Sequence, residues 1–262
     1  MDIQAILTPV LIVAVIGLLA GLMLSFASKF FAVQVDERVG AVREVLPGAN
    51  CGSCGYAGCD DYAAKVVAGE APGNLCTPGG PAVAGKIGGI LGTEVGAVEE
   101  KKAQVRCRGH LATTRYIMDY MGPQTCVACN SLYQGRRSCS HGCLGFGDCV
   151  KVCAYDAIHI VDGVAVVDQE KCVGCGQCAR ECPNDIIQIA PAHADVFVAC
   201  RSTDKGAYTR KLCSNGCIGC MKCQKTCPNG AITVQQNLAY VDPEKCTSCG
   251  ACREVCPVGA IQ

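Results

Sequence analysis

Cysteine constrains this chain more than any other residue: 25 of its 262 positions carry one. Tryptophan is absent, and 8 Tyr with 5 Phe supply little aromatic bulk. A chain so composed cannot rest on a large hydrophobic core, so disulfides or metal must hold much of it together. Lys plus Arg number 23, as do Asp plus Glu, which gives a formal net charge of zero. A polyanion such as nucleic acid is therefore not an expected partner.

The spacing of the cysteines decides between metal and disulfide. Cys172, Cys175, Cys178 and Cys182 stand in a C-x2-C-x2-C-x3-C-P run closed by Pro183. Cys217, Cys220, Cys223 and Cys227 form a second such run before Pro228, and Cys246, Cys249, Cys252 and Cys256 a third before Pro257. In this bacterial-ferredoxin spacing three thiolates wrap one cube, and the fourth, sent off at the proline, ligates the neighbouring cluster. Zinc fingers use separated cysteine pairs instead, and thiols so close in one loop rarely reach bridging geometry. The runs predict [4Fe–4S] clusters. Crosswise pairing puts Cys217, Cys220 and Cys223 with Cys256, and Cys246, Cys249 and Cys252 with Cys227. Cys172, Cys175 and Cys178 take Cys153.

The second half of the chain is a duplication. Residues 139–153 align with 213–227 at an offset of 74 without a gap, and 168–172 align with 242–246 at the same offset. At an offset of 71, residues 127–129 align with 198–200. In the first copy Phe146 stands where the second has Cys220, and Ala154 replaces the proline. The irregular cube of that copy is expected on Cys139, Cys143, Cys149 and Cys182. In the second copy Cys213, Cys217, Cys220 and Cys223 compete for three places; the standard loop is favoured and leaves Cys213 spare. Hairpins are expected over 157–167, turning at Asp162-Gly163, and over 231–241. Short helices should follow Cys149, Cys178, Cys223 and Cys252.

Upstream, Cys51, Cys54, Cys59 and Cys76 form a set of their own, with Gly52, Gly55 and Gly58 among them. Glycine there lets the backbone fold closely around a cluster and aim N–H groups at its sulfurs. One cube is expected on these four cysteines, with Asp60 and Asp61 capping a helix that runs to about Glu70. An amphipathic stretch from Val35 to Leu46 precedes them. Residues 3–28 contain no Asp, Glu, Lys or Arg. As a helix they reach about 39 Å, enough for a hydrocarbon core of about 30 Å. A cleaved signal would want a basic residue ahead of the apolar run, yet the chain opens Met1-Asp2, so a retained membrane anchor is expected. Asp2 before the span and Lys29 after it place the remainder on the cytoplasmic side.

Five cubes use 20 of the cysteines and leave Cys107, Cys126, Cys129, Cys200 and Cys213. The spacing of Cys126 and Cys129 admits a sixth cluster on Cys107, Cys126, Cys129 and Cys200; the alternative is buried reduced thiols acting as small apolar residues. The four histidines show no paired metal spacing and read as structural or exposed. The expected fold class is α+β, built of small iron–sulfur domains. It comprises a transmembrane anchor (1–30), a single-cluster domain (31–100), a connecting segment with extra cysteines (101–135), and two tandem ferredoxin-like two-cluster units (136–192 and 193–262).

The apolar segment near 5–28, the glycine-rich Cys51, Cys54, Cys59 and Cys76 set and the ferredoxin runs together resemble the B component of the Rnf-type ion-translocating electron-transport complex, its iron–sulfur polyferredoxin subunit, over essentially the whole chain. The resemblance implies a membrane complex that passes electrons from reduced ferredoxin to NAD+, coupled to Na+ or H+ transport. Within it this polypeptide would take ferredoxin electrons on the cytoplasmic side, beside other membrane and peripheral subunits. Simpler members carry one two-cluster domain; this chain carries two and an irregular cube. No G-x-G-x-x-G or G-x-x-x-x-G-K-[ST] motif occurs, and one span is too few for an ion pathway. NAD+ reduction and ion transport are therefore expected of other subunits, with no catalytic residue here. Two other readings stand beside this one. One is a membrane-anchored polyferredoxin serving a different reductase, such as one that resets a redox sensor. The other is a non-redox zinc or disulfide scaffold, which the Cys-Pro spacing disfavours. Chain order puts electron arrival at the C-terminal unit and departure at the set nearest the anchor.

Overall fold

In a computed structural model, residues 3–30, 36–131 and 134–262 are described. Helix α1 (Ile3–Phe30) runs unbroken. Its Val10–Lys29 segment has a mean hydropathy of 2.7, and none of it is buried against the rest of the chain. An apolar cylinder of that length left bare matches the thickness of a bilayer core, and it is the one candidate membrane span among the described residues. Met1, Asp2 and Val35 lie outside those residues.

Three helices make the next body: α2 (Glu37–Val45), α3 (Cys59–Val67) and α4 (Gly80–Leu91). Asp36 caps α2 by accepting the Arg38 backbone N–H at 2.9 Å. Val42, Leu46, Tyr62, Val66 and Ile87 form the core between them. The expected cap of α3 is corrected here. Asp60 and Asp61 sit inside its first turn, where their charge suits the helix dipole. The acceptor for the Cys59 N–H is the Asn50 side chain, at 2.8 Å. The helix stops at Val67, short of Glu70, because Gly69 turns left-handed at φ 76°.

Strand β1 (Lys101–Val105) pairs antiparallel with β4 (Ile187–Pro191), Val105 opposite Ile187. That pairing draws the start of the expected connecting segment against the first ferredoxin-like unit. The two hairpins lie where the sequence places them. Strand β2 (Ile158–Val161) pairs with β3 (Val164–Val167), and β5 (Ile232–Gln235) with β6 (Leu238–Val241). Their turn residues, Asp162 with Gly163 and Gln236 with Asn237, all have positive φ, as a two-residue turn matched to strand twist requires. Val198 bridges Ile261, so residues around 198 do for the second unit what β1 does for the first.

Among the described residues six short helices remain: α5 (Cys126–Ser131), α6 (Asp148–Lys151), α7 (Gln177–Glu181), α8 (Gly206–Leu212), α9 (Lys222–Thr226) and α10 (Ala251–Glu254). Four of them, α6, α7, α9 and α10, contain Cys149, Cys178, Cys223 and Cys252 rather than following them. The core of the first unit mixes Ala103, Ile158, Val164 and Ile187 with Cys143, Cys149, Cys172 and Cys178. That of the second mixes Val198, Ile232 and Ile261 with Cys200, Cys217, Cys223 and Cys252.

Candidate metal centres

All 25 cysteines are free thiols, and 24 of them fall into six groups of four.

In the N-terminal body, Cys51, Cys54 and Cys59 neighbour Cys76, whose thiol burial pushes up to about 11. Tyr62 holds the loop that delivers Cys76: its hydroxyl donates to the Pro72 carbonyl at 2.8 Å and accepts the Leu75 N–H at 3.1 Å.

In the first unit, Cys153, Cys172, Cys175 and Cys178 line a cavity of about 360 Å³. The Ala103 N–H, from β1, points at the Cys172 sulfur at 3.3 Å, and the Ala157 N–H at that of Cys153 at 3.4 Å. In the second unit, Cys217, Cys220, Cys223 and Cys256 line a cavity of about 350 Å³. Cys252 has Cys246, Cys227 and Cys249 as its cysteine neighbours. Ala231 and Ala260 repeat the Ala157 pattern, donating to Cys227 and Cys256 at 3.3 Å each. Such donors stabilise sulfur carrying negative charge and so help to set a cluster's potential.

The irregular set is arranged differently from the expectation. Its cavity, of about 360 Å³, is lined by Cys126, Cys143, Cys149 and Cys182, with Cys126 where Cys139 was expected. The cause is Asp148, a 5% exposed carboxylate. It accepts the N–H groups of Cys126 at 2.6 Å and Val127 at 3.3 Å, docking α5 beside Cys149. Phe146, which replaces a ligand cysteine, instead packs edge-on against Tyr120 with the Arg136 guanidinium over its ring.

Cys139 faces a separate cavity of about 410 Å³ with Cys107, Cys200 and Cys213. Cys213 is thus not isolated, and the expected grouping of Cys107, Cys126, Cys129 and Cys200 is not assembled. Cys129 is 1% exposed, packs with Cys126 and Leu144, and borders none of these cavities. Of the histidines, His141 reaches this larger cavity and lies 3.3 Å from Asp204.

Among the described residues, no three or more His, Cys, Asp or Glu side chains close on a single ion. Four of the four-cysteine groups instead line cavities, a layout for a multi-iron core. Burial pushes the thiols of Cys139, Cys149 and Cys178 up to about 12, and those of Cys143, Cys200 and Cys223 up to about 11. An isolated thiolate in so dry a site is costly. Iron supplies the positive charge that makes it stable, so the residues present fit the group their spacing implies.

The groups also follow one another. Cys175 lies in the field of Cys51, and Arg180 of α7 donates to the Cys51 carbonyl. Cys178 neighbours Cys149, Cys217 neighbours Cys200, and the Cys143 N–H donates to the Cys107 sulfur at 3.4 Å.

Paired hairpins, Cys-Pro loops and cysteine-lined cavities behind one apolar helix define a multi-cluster iron–sulfur protein of the ferredoxin type. Three family descriptions match in the same places: "Putative Fe-S cluster" over 46–78, "4Fe-4S binding domain" over 165–188 and "4Fe-4S dicluster domain" over 216–260. Relatives of nearly the whole chain are more specific. The B component of the "Proton-translocating ferredoxin:NAD(+) oxidoreductase complex" of Clostridium ljungdahlii is 46% identical over 90% of this chain and 84% of its own. The B component of the "Na(+)-translocating ferredoxin:NAD(+) oxidoreductase complex" of Acetobacterium woodii is 42% identical over 93% of this chain and 73% of its own. Its counterpart in the "Ion-translocating oxidoreductase complex" of Methanosarcina acetivorans is also 42% identical, over 93% of this chain and 92% of its own. The chain belongs to this family of Rnf B components, the iron–sulfur electron-transfer subunits of ion-translocating oxidoreductase complexes.

Proposed function

We propose that this chain takes electrons from reduced ferredoxin and relays them to membrane subunits of a ferredoxin:NAD+ oxidoreductase complex, whose other subunits reduce NAD+ and move Na+ or H+. The observation that carries this reading is the succession of cysteine groups from an exposed C-terminal unit to the body beside the membrane helix. Bound there, [4Fe–4S] clusters supply one-electron transfer. Their holders in the first half of the chain are Cys51, Cys54, Cys59 and Cys76; Cys153, Cys172, Cys175 and Cys178; and Cys126, Cys143, Cys149 and Cys182. In the second half they are Cys217, Cys220, Cys223 and Cys256, and Cys227, Cys246, Cys249 and Cys252.

The remaining side chains bury, orient and dock. Cys220 and Cys249 are the two exposed cysteines of the chain, which puts both clusters of the second unit near its surface. Lys222 and Lys225 of α9 are exposed beside Cys220, giving that surface a basic rim for an acidic protein donor. The anchor and Lys29 support a cytoplasmic placement of this surface. In this reading the chain divides into anchor, single-cluster domain and two ferredoxin-like units, with residues 101–105 joined to the first unit.

Charge reversal tests the docking step. In the intact complex, Lys222→Glu with Lys225→Glu should raise the KM for ferredoxin at low ionic strength. The difference from wild type should shrink as salt rises. An unchanged KM would move the docking surface elsewhere. Membrane subunits that co-purify but reduce no NAD+ from ferredoxin would favour the reading of a polyferredoxin serving a different reductase.

A further inference from the structure

The cavity between the two ferredoxin-like units belongs to neither of the regular cysteine patterns. Its four sulfurs come two from each unit, at equivalent places. Cys107 follows by two residues Val105, which pairs with Ile187; Cys200 follows by two residues Val198, which bridges Ile261. Cys139 and Cys213 are partners in the 74-residue repeat. The environment repeats as well: the Cys143 N–H donates to Cys107 at 3.4 Å, and the N–H of its counterpart Cys217 donates to Cys200. The Ser138 hydroxyl and the Thr114 hydroxyl both donate to the Leu212 carbonyl, at 3.0 and 3.1 Å, tying the Cys139 and Cys213 turns together. Glycine keeps the space open. A Cβ on Gly109 would stand 3.5 Å from the Cys107 sulfur and 3.7 Å from that of Cys213; one on Gly142 would stand 3.7 Å from both Cys107 and Cys139.

A second observation concerns charge. Arg137 lines this cavity and is 3% exposed. Its guanidinium donates to the Gly109 and Gly163 carbonyls, its Nε has no hydrogen-bond partner, and among the described residues no carboxylate pairs with it. Arg106, Arg108 and Arg201 border the same space. A buried cation with no counter-ion is costly, so this cavity calls for an anion. The Cys126, Cys143, Cys149 and Cys182 cavity is bordered instead by two carboxylates and no arginine: Glu181, and Asp148 with Lys151 3.4 Å from it.

We infer that Cys107, Cys139, Cys200 and Cys213 hold a sixth [4Fe–4S] cluster on the pseudo-twofold axis between the two units, with Arg137 as its buried counter-ion. The inference rests on the iron–sulfur reading of the other five groups. A cluster core ligated by four thiolates is the anion that Arg137 lacks, Arg201 being paired with Asp185, and the cavity matches in size those of the regular sites. The positive surroundings favour the reduced form, so this cluster has a higher potential than the one held by Cys126, Cys143, Cys149 and Cys182. It also fills the gap between the Cys143 and Cys217 groups, making the succession continuous across the unit boundary.

The test is iron and acid-labile sulfide on the full-length chain purified without oxygen, together with its mass under non-denaturing conditions. At four irons per cube, about 24 irons are expected. Cys213→Ser should lose about four of them, while Cys129→Ser should lose none. Arg137→Gln should keep the iron and lower the midpoint potential of one paramagnetic signal. About 20 irons in the wild-type chain would overturn the sixth site and leave the five-cluster reading standing. Loss of a cluster from Cys129→Ser but not from Cys213→Ser would overturn the ligand assignment. A chain without iron would overturn all six sites together. The wild-type count needs no variant to fold.

Discussion

Gly174 shows how little room the clusters leave for side chains. It sits between Cys172 and Cys175 at φ +65°, and a Cβ there would run into the Lys101 carbonyl of β1. Gly174→Ala should therefore cost at least about 1–3 kcal/mol in strain and loosen the strand that brings the Ala103 N–H to Cys172. Lower thermal stability, with preferential iron loss from the first unit, would be the reading. At this scale the sequence was most legible where spacing repeats: the loops at Cys172 and Cys217 line cavities together with Cys153 and Cys256, the cysteines that crosswise pairing names. It was least legible where a ligand position is filled from a distance. Phe146 in place of cysteine signals that a ligand must come from elsewhere, but only the buried Asp148 carboxylate brings Cys126 to the cavity of Cys149. The 74-residue offset that pairs Cys139 with Cys213 already marked those two as equivalent; what it lacked was that both line one cavity. Arg137 carried no local signal, since the Gly109 and Gly163 carbonyls that it binds lie 28 and 26 residues away.

Among the elements, the helix α1 and the two hairpins follow from local rules. An uncharged segment of this length has one stable way to satisfy its backbone in lipid, and Asp-Gly between alternating strands has one favoured turn. Strand β1 does not follow from local rules, because its partner lies more than eighty residues away and nothing in Lys101–Val105 names Ile187–Pro191. For α1 the central claim is insertion. Leu19→Arg, near the middle of the Val10–Lys29 span, should cost about 2.5–3.5 kcal/mol of insertion free energy. A smaller membrane-retained fraction on fractionation, with the iron content of the released protein unchanged, is the expected outcome.

The whole molecule divides into parts that depend on metal to different degrees. The buried residues around Val42, Tyr62 and Ile87 include no cysteine, whereas those of both ferredoxin-like units are built partly on cysteine sulfur. Removing iron by chelation under reducing conditions should therefore collapse the two units, as binding free energy there is folding free energy. The helical body of residues 37–91 should outlast them. Circular dichroism would show retained helix with lost hairpin signal, and proteolysis should cut first after residue 105.

The most direct test of the relay itself is an oxygen-free titration of the full-length, iron-loaded chain with reduced ferredoxin, followed by electron paramagnetic resonance. The account predicts that visible absorbance bleaches and that signals of reduced [4Fe–4S] centres appear in proportion to the electrons added. An iron-replete chain that stays oxidised beside excess reduced ferredoxin, or a colourless chain that carries zinc, would contradict it.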